Sequence, residues 1–211
     1  MVWANAAEDR LSEVEQLQSQ SDVEVARAAA ADEDYCTPQL KQILRRVLNS
    51  CGLLGRTSER GCQPAEARNV ATMSGNDFNA LFVPMTERGG IVQFDRDSAV
   101  LDQVDRGLVE SVFAQRRGAS YFLVVSRASP EGSVEHNRDL SRQRAENVLN
   151  YLGQTFRDPD LERQVGLLWL GEEYAQLDPS FCSWRRSGTE EQCQPEQLNR
   201  SAFVAWIDCR L

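Results

Sequence analysis

The segment Asn137–Leu152 reads NRDLSRQRAENVLNYL. Ser141, Ala145, Val148 and Leu152 recur at the spacing of one helical face, and Leu149 widens that stripe. Arg142, Gln143, Glu146, Asn147 and Asn150 fall on the other side, and Gly153 stands where a helix is expected to stop. The periodicity predicts an amphipathic helix lying on an apolar surface.

On either side of this helix the pattern alternates. Ile91–Phe94, the strand-like run Ser120–Val125 and Val165–Leu170 have the apolar, β-branched character of buried strands. Ser98–Gln115 carries Leu101, Val104, Leu108 and Val112 at helical spacing, and Ala202–Ile207 forms a last strand. Strands separated by helices of this length predict crossover units over a small mixed sheet, an α+β domain. The boundary is expected within residues 62–86, ending in a Gly89-Gly90 turn, so that residues 1–86 are a helical N-terminal region and linker and residues 87–211 the sheet domain.

In the N-terminal part, Ala6 to Ala31 is charged, alanine-rich and expected to be helical, with a short stripe of Leu11, Val14 and Leu17. Thr37-Pro38 then opens a second helix by a side-chain cap with proline at the first position. Leu40, Ile43, Leu44, Val47, Leu48 and Cys51 give it a continuous apolar face that must be covered by the sheet domain or by a partner protein. Gly55–Gly75 reads as polar loop.

The chain has 211 residues and a formal charge of −9, which argues against nucleic acid and against an anionic membrane surface. No apolar run is long enough to span a bilayer. Ala4-Asn5-Ala6 has the small-x-small character of a signal-peptide end, so the expectation is a sequence whose signal peptide has been removed. The six cysteines, Cys36, Cys51, Cys62, Cys182, Cys193 and Cys209, include no Cys-x-x-Cys pair, and His136 is the only histidine. That composition speaks against zinc and for disulfides in an oxidising compartment. A lone histidine also speaks against a Ser-His-Asp hydrolase, and no cofactor motif is present, so no enzyme activity, cofactor or metal is expected. Trp169, Trp184 and Trp206 read as core or loop-packing residues.

Asn-x-x-Leu-Ser-x-x-Arg-Ala-x-x-Val, satisfied by Asn137, Leu140, Ser141, Arg144, Ala145 and Val148, resembles the signature helix of OmpA-like domains. Four further segments follow in the family's order. They are Phe94 with Ser98 and Leu101, the loop Ser126–Gly132, the strand Leu168–Glu172 ending in Gly171-Glu172, and Asn199-Arg200 before the last strand. The resemblance covers about Gly90–Leu211 and implies a βαβαβ(α)β mixed-sheet fold preceded by the helical region. It further implies a periplasmic or outer-membrane-associated protein that binds peptidoglycan.

In that family an Asp in the loop before the signature helix holds the ammonium of diaminopimelate, and the Arg within the helix holds its carboxylate. A planar guanidinium forks onto a carboxylate, and a carboxylate accepts from an amine. Carried onto this chain, Arg144 matches the arginine, but the aspartate position holds Ser129. Ala128 replaces the preceding Thr, Gly132 is kept, and Ser201 replaces the second Arg of an Asn-Arg-Arg motif. The implied ligand set is Arg144, Asn137, Leu140, Ser129, Glu131 and Gly132, with Glu131 a stand-in acid if the loop is re-aimed. The alternative for Arg144 is a helix-surface residue paired with a nearby Asp or Glu.

Some family members carry a cysteine pair across the loop before the last strand, which implies Cys182–Cys193. Cys51–Cys62 is the next local option and leaves Cys36–Cys209, one of fifteen connectivities that six cysteines allow. Two functions follow from the resemblance. The first is a non-catalytic envelope anchor that binds diaminopimelate-type peptidoglycan weakly. The second is a degenerate domain without cell-wall binding that serves as a protein–protein scaffold, with envelope partners met through the N-terminal helices.

Overall fold

The computed structural model describes residues 35–50, 61–62, 82–115, 121–159, 161–172, 177 and 179–209. The expected helix over Ala6–Ala31 and the expected bond of Cys51 lie outside these residues. Thr37–Leu211 forms one compact unit and Met1–Cys36 another.

The first described helix, α1 (Pro38–Ser50), opens as expected, with the Leu40 amide donating to Thr37 Oγ1 at 3.1 Å. Leu40, Ile43 and Leu44 on its apolar face are buried. A two-residue strand, β1 (Gly61–Cys62), follows within the stretch read from sequence as loop. It pairs in parallel with a later strand, Gly61 opposite Leu167 and Cys62 opposite Leu168. A stretch of two residues is too short to show a period, so no sequence pattern announces it.

The 3-10 turn Val83–Met85 leads into β2 (Gly89–Gln93). Gly89-Gly90 is therefore the start of a strand and not a turn. A Cβ at Gly89 would stand 2.7 Å from the Val204 carbonyl and 2.8 Å from the Phe203 ring, so glycine is required by close approach. Helix α2 (Gln103–Ala114) begins five residues later than the Ser98 expected from its apolar spacing. The reason is a reciprocal capping box: the Asp105 amide donates to Asp102 Oδ1 at 2.8 Å, and the Asp102 amide donates to Asp105 Oδ2 at 2.9 Å.

Strand β3 (Tyr121–Ser126) runs into the signature helix α3 (Val134–Phe156), which is capped by Ser133. Helix α3 passes through Gly153, against expectation, and ends at Arg157 in a left-handed conformation (φ 49°). Its extra turn is held by packing. Phe156 lies against Phe113 with ring centroids 4.5 Å apart, and Leu161 covers Gly153. The short helix α4 (Leu161–Gln164), strand β4 (Val165–Trp169), a 3-10 turn at Pro179–Ser183, helix α5 (Pro195–Asn199) and strand β5 (Ser201–Ile207) complete the described chain.

The sheet order is β1-β4-β3-β5-β2, with β3 and β4 parallel and β5 antiparallel to both β3 and β2. The α+β class and the βαβαβ(α)β order are as expected, with β1 added at the edge. Side chains alternate between the faces. Phe122, Val124, Val165, Leu167, Val204 and Trp206 share one core with α2 and α3. On the opposite face Phe203 meets Phe82 and Trp184, with ring centroids 4.4 and 5.9 Å away. Both faces of the sheet are thus covered, and Trp206 also donates its indole N–H to the Phe113 carbonyl at 2.8 Å. Trp184 packs the loop and Trp206 the core, as read from sequence.

Cys182 is bonded to Cys193 with a Cα–Cα distance of 5.8 Å. Cys36 and Cys209 are each disulfide-bonded. No described helix is long and apolar enough to cross a membrane.

Candidate functional site

The inward stripe of α3 carries polar groups at its N-terminal half and apolar ones beyond. Asn137, Leu140, Ser141, Arg144, Ala145, Val148 and Leu152 are its buried positions. Burying Arg144 on this stripe sets a guanidinium beside the loops that follow β2 and β3. Its Nε donates to the Ser98 carbonyl at 2.8 Å, one terminal nitrogen to Arg127 O at 2.9 Å, and the other to Asp95 O at 3.2 Å. The cation also lies 5.0 Å from the centroid of the Phe94 ring.

The surface alternative for Arg144 is thereby corrected. The residue is fully buried, and its hydrogen-bond acceptors are three backbone carbonyls, not a carboxylate. Each terminal nitrogen keeps a second N–H beyond these bonds. Burial pushes the guanidinium down to about 10, the Arg200 charge adds to that, and Asp97 opposes it. A planar cation fixed by carbonyl dipoles, with no carboxylate among its hydrogen-bond acceptors, is chemically suited to receive an anion.

Arg144 forms part of the wall of a cavity of about 210 Å³. Ser129, Glu131, Gly132, Asn137 and Leu140 line the same cavity, so the structure brings the whole sequence-derived set together. Their local bonds differ from a simple copy of the family pattern. Ser129 Oγ donates to Glu131 Oε2 at 3.0 Å, and the same oxygen accepts from Arg200 at 2.5 and 3.2 Å. Arg96 stands 3.5 Å from the other carboxylate oxygen. Glu131 has been drawn beside Ser129, where the missing aspartate would sit. The hydrogen bond from Arg200, and then that from Ser129, hold its carboxyl below the usual range.

Asn137 fixes this loop. Its amide nitrogen donates to the Glu131 carbonyl at 3.2 Å and also to the carboxylate of Glu172, in the turn beyond β4. Gly132, at φ 112°, allows the chain to turn into α3 in a backbone region that side chains disfavour. Leu140 supplies an apolar wall.

Four lining residues are not in the sequence-derived ligand set: Arg96, Asp97, His136 and Arg200. Arg200 lies in the Asn199-Arg200 motif, which was a usable signal. Arg96 and Asp97 sit in the β2–α2 loop, where nothing in the local pattern marks them. Asp97 has a left-handed backbone (φ 54°), and its Oδ1 lies 2.6 Å from His136 Nε2. Ser129 donates its hydroxyl to Glu131, whereas His136 pairs with Asp97. Asn199 is structural: it is buried and bonds Leu177 and Pro195 through its amide.

Comparison with family models gives no match, and no curated protein matches. Among solved structures, the chain is similar to the OmpA-like domain of FopA1 from Francisella tularensis subsp. tularensis SCHU S4. That match has 18% identity and a TM-score of 0.41, covering 57% of this chain and 74% of the other. It is also similar to the peptidoglycan-associated lipoprotein from Burkholderia pseudomallei. There the identity is 21% and the TM-score 0.42, covering 57% of this chain and 90% of the other.

Proposed function

We propose that this chain carries an OmpA-like module of the cell envelope that binds peptidoglycan without catalysing a reaction. Its ligand in this reading is the diaminopimelate of the stem peptide. The observation that carries it is Arg144: a buried guanidinium in a cavity wall, oriented by three carbonyls, at the position matching the family's carboxylate-binding arginine. The guanidinium is already desolvated and held, so binding a carboxylate needs little further ordering. The names of two similar structures, one an OmpA-like domain and one a peptidoglycan-associated lipoprotein, agree with this reading.

A second reading is favoured by one feature. Ser129 stands at the acid position, and Glu131 beside it is engaged by Arg200 and Arg96. A domain that has lost its hold on the ammonium and serves as an envelope scaffold fits that observation. Sedimentation with purified diaminopimelate-type peptidoglycan separates the two. Wild type is expected in the pellet, with Arg144→Ala left in the supernatant. Wild type in the supernatant, with Ser129→Asp gaining the pellet, supports the scaffold and ends the anchor reading.

A further inference from the structure

Resting on the peptidoglycan reading, the cavity contains a second acid from an unexpected place. Asp97 comes from the β2–α2 loop, whereas the family's acid comes from the loop before the signature helix. It lines the same cavity as Arg144 and is near enough to oppose the downward pull of burial on that guanidinium. Of the two acids lining this cavity, Glu131 is engaged by Arg200 at 2.5 Å, Ser129 at 3.0 Å and Arg96 at 3.5 Å. Asp97 pairs with His136 at 2.6 Å through Oδ1, and its side chain is 69% exposed. A carboxylate has about four lone-pair sites over two oxygens, so that pairing leaves capacity to accept from a ligand.

We infer that Asp97 is the specificity-determining acid of this cavity, accepting the ammonium of an α-amino-acid end group while Arg144 takes its carboxylate. The two groups of such an end share one carbon. Recognising them therefore requires an acid and a fixed cation on the walls of one small cavity, which Asp97 and Arg144 provide. Ser129 then need not carry charge, because the acceptor has moved to another loop. The left-handed backbone at Asp97 is tolerated best by Asn, Asp and Gly, which makes Asn the conservative probe. The same chemistry favours stems whose amine is free over stems in which it is amide-linked, since an amide offers no charge.

The test is isothermal titration of the full chain with a diaminopimelate-containing stem tripeptide blocked at its N-terminus, and with the same tripeptide also acetylated on the free diaminopimelate amine. Wild type is expected to prefer the free amine by about tenfold or more. Asp97→Asn is expected to abolish that preference while leaving affinity for the acetylated form unchanged. Glu135→Gln, an exposed acid outside the cavity, is expected to keep the preference, which controls for a general loss of negative charge. Wild type binding both tripeptides equally, or Asp97→Asn retaining the preference, overturns the inference and leaves the peptidoglycan reading standing. Wild type binding neither form ends both.

Discussion

Arg144 ties two loops together with one side chain. Its three carbonyl bonds staple the β2–α2 loop, through Asp95 and Ser98, to the β3–α3 loop through Arg127. Arg144→Ala is therefore expected to cost stability as well as binding, on the order of 1–3 kcal/mol as those carbonyls lose their donors. A urea midpoint unchanged from wild type would contradict the stapling role. Glu131 gives a pH-dependent prediction. Its folded value lies below the ordinary 4.5, so its contribution is present above 4.5 and is lost as pH falls through the lower folded value. The gap in urea midpoint between wild type and Glu131→Gln should thus be present at neutral pH and close on acidification. A gap that stays constant down through that window would show that the Arg200 pairing does not stabilise the loop. At this scale the sequence nominated Arg144 by its place in a motif, but its burial and carbonyl partners come from loops distant in the chain. Asp97 went unnoticed because an acid in a polar loop looks like any solvated charge.

Among the elements, α3 and α2 show how caps and packing override local punctuation. Glycine is common just past helix ends, yet α3 continues through Gly153 because Phe156 finds an aromatic partner in Phe113. A Cβ at Gly153 would meet Leu161 Cδ2 at 3.5 Å, an ordinary contact. Gly153→Ala is expected to stabilise the protein by about 0.5–1 kcal/mol through reduced unfolded-state entropy. A fall in melting temperature would indicate that Leu161 cannot accommodate the methyl group. At α2 the capping box makes Asp102→Ala costly by roughly 1 kcal/mol, measurable in the same urea experiment. The α2 start was misplaced from sequence because Leu101 continues the apolar spacing outward, while the cap that ends it depends on Asp102 meeting Asp105. The strands were legible because each is a short, dense apolar run, whereas β1 has no length in which a pattern could appear.

For the whole molecule, the resemblance carried by five ordered segments was readable because each segment positions a different part of one sheet. Phe94, Ser126, Trp169 and Arg200 flank one end of that sheet, and the cavity opens beside it. What could not be read was which loop residues converge there, since convergence depends on β5 lying between β3 and β2. The disulfides act at the same scale. With Cys182 bonded to Cys193 and Cys36 and Cys209 each oxidised, a non-reducing peptide map is expected to join Cys36 to Cys209, a long closure contributing a few kcal/mol. A peptide joining Cys36 to Cys51 or Cys62 would refute that pairing. In the proposed function, the fixed guanidinium at Arg144 binds the carboxylate of a cell-wall stem peptide. The most direct test is the dissociation constant of the full chain for a soluble diaminopimelate stem tripeptide, compared between wild type and a folded Arg144→Ala variant. Measurable binding by wild type that weakens by about tenfold to a hundredfold in the variant is expected. Equal affinity of the two proteins would contradict it.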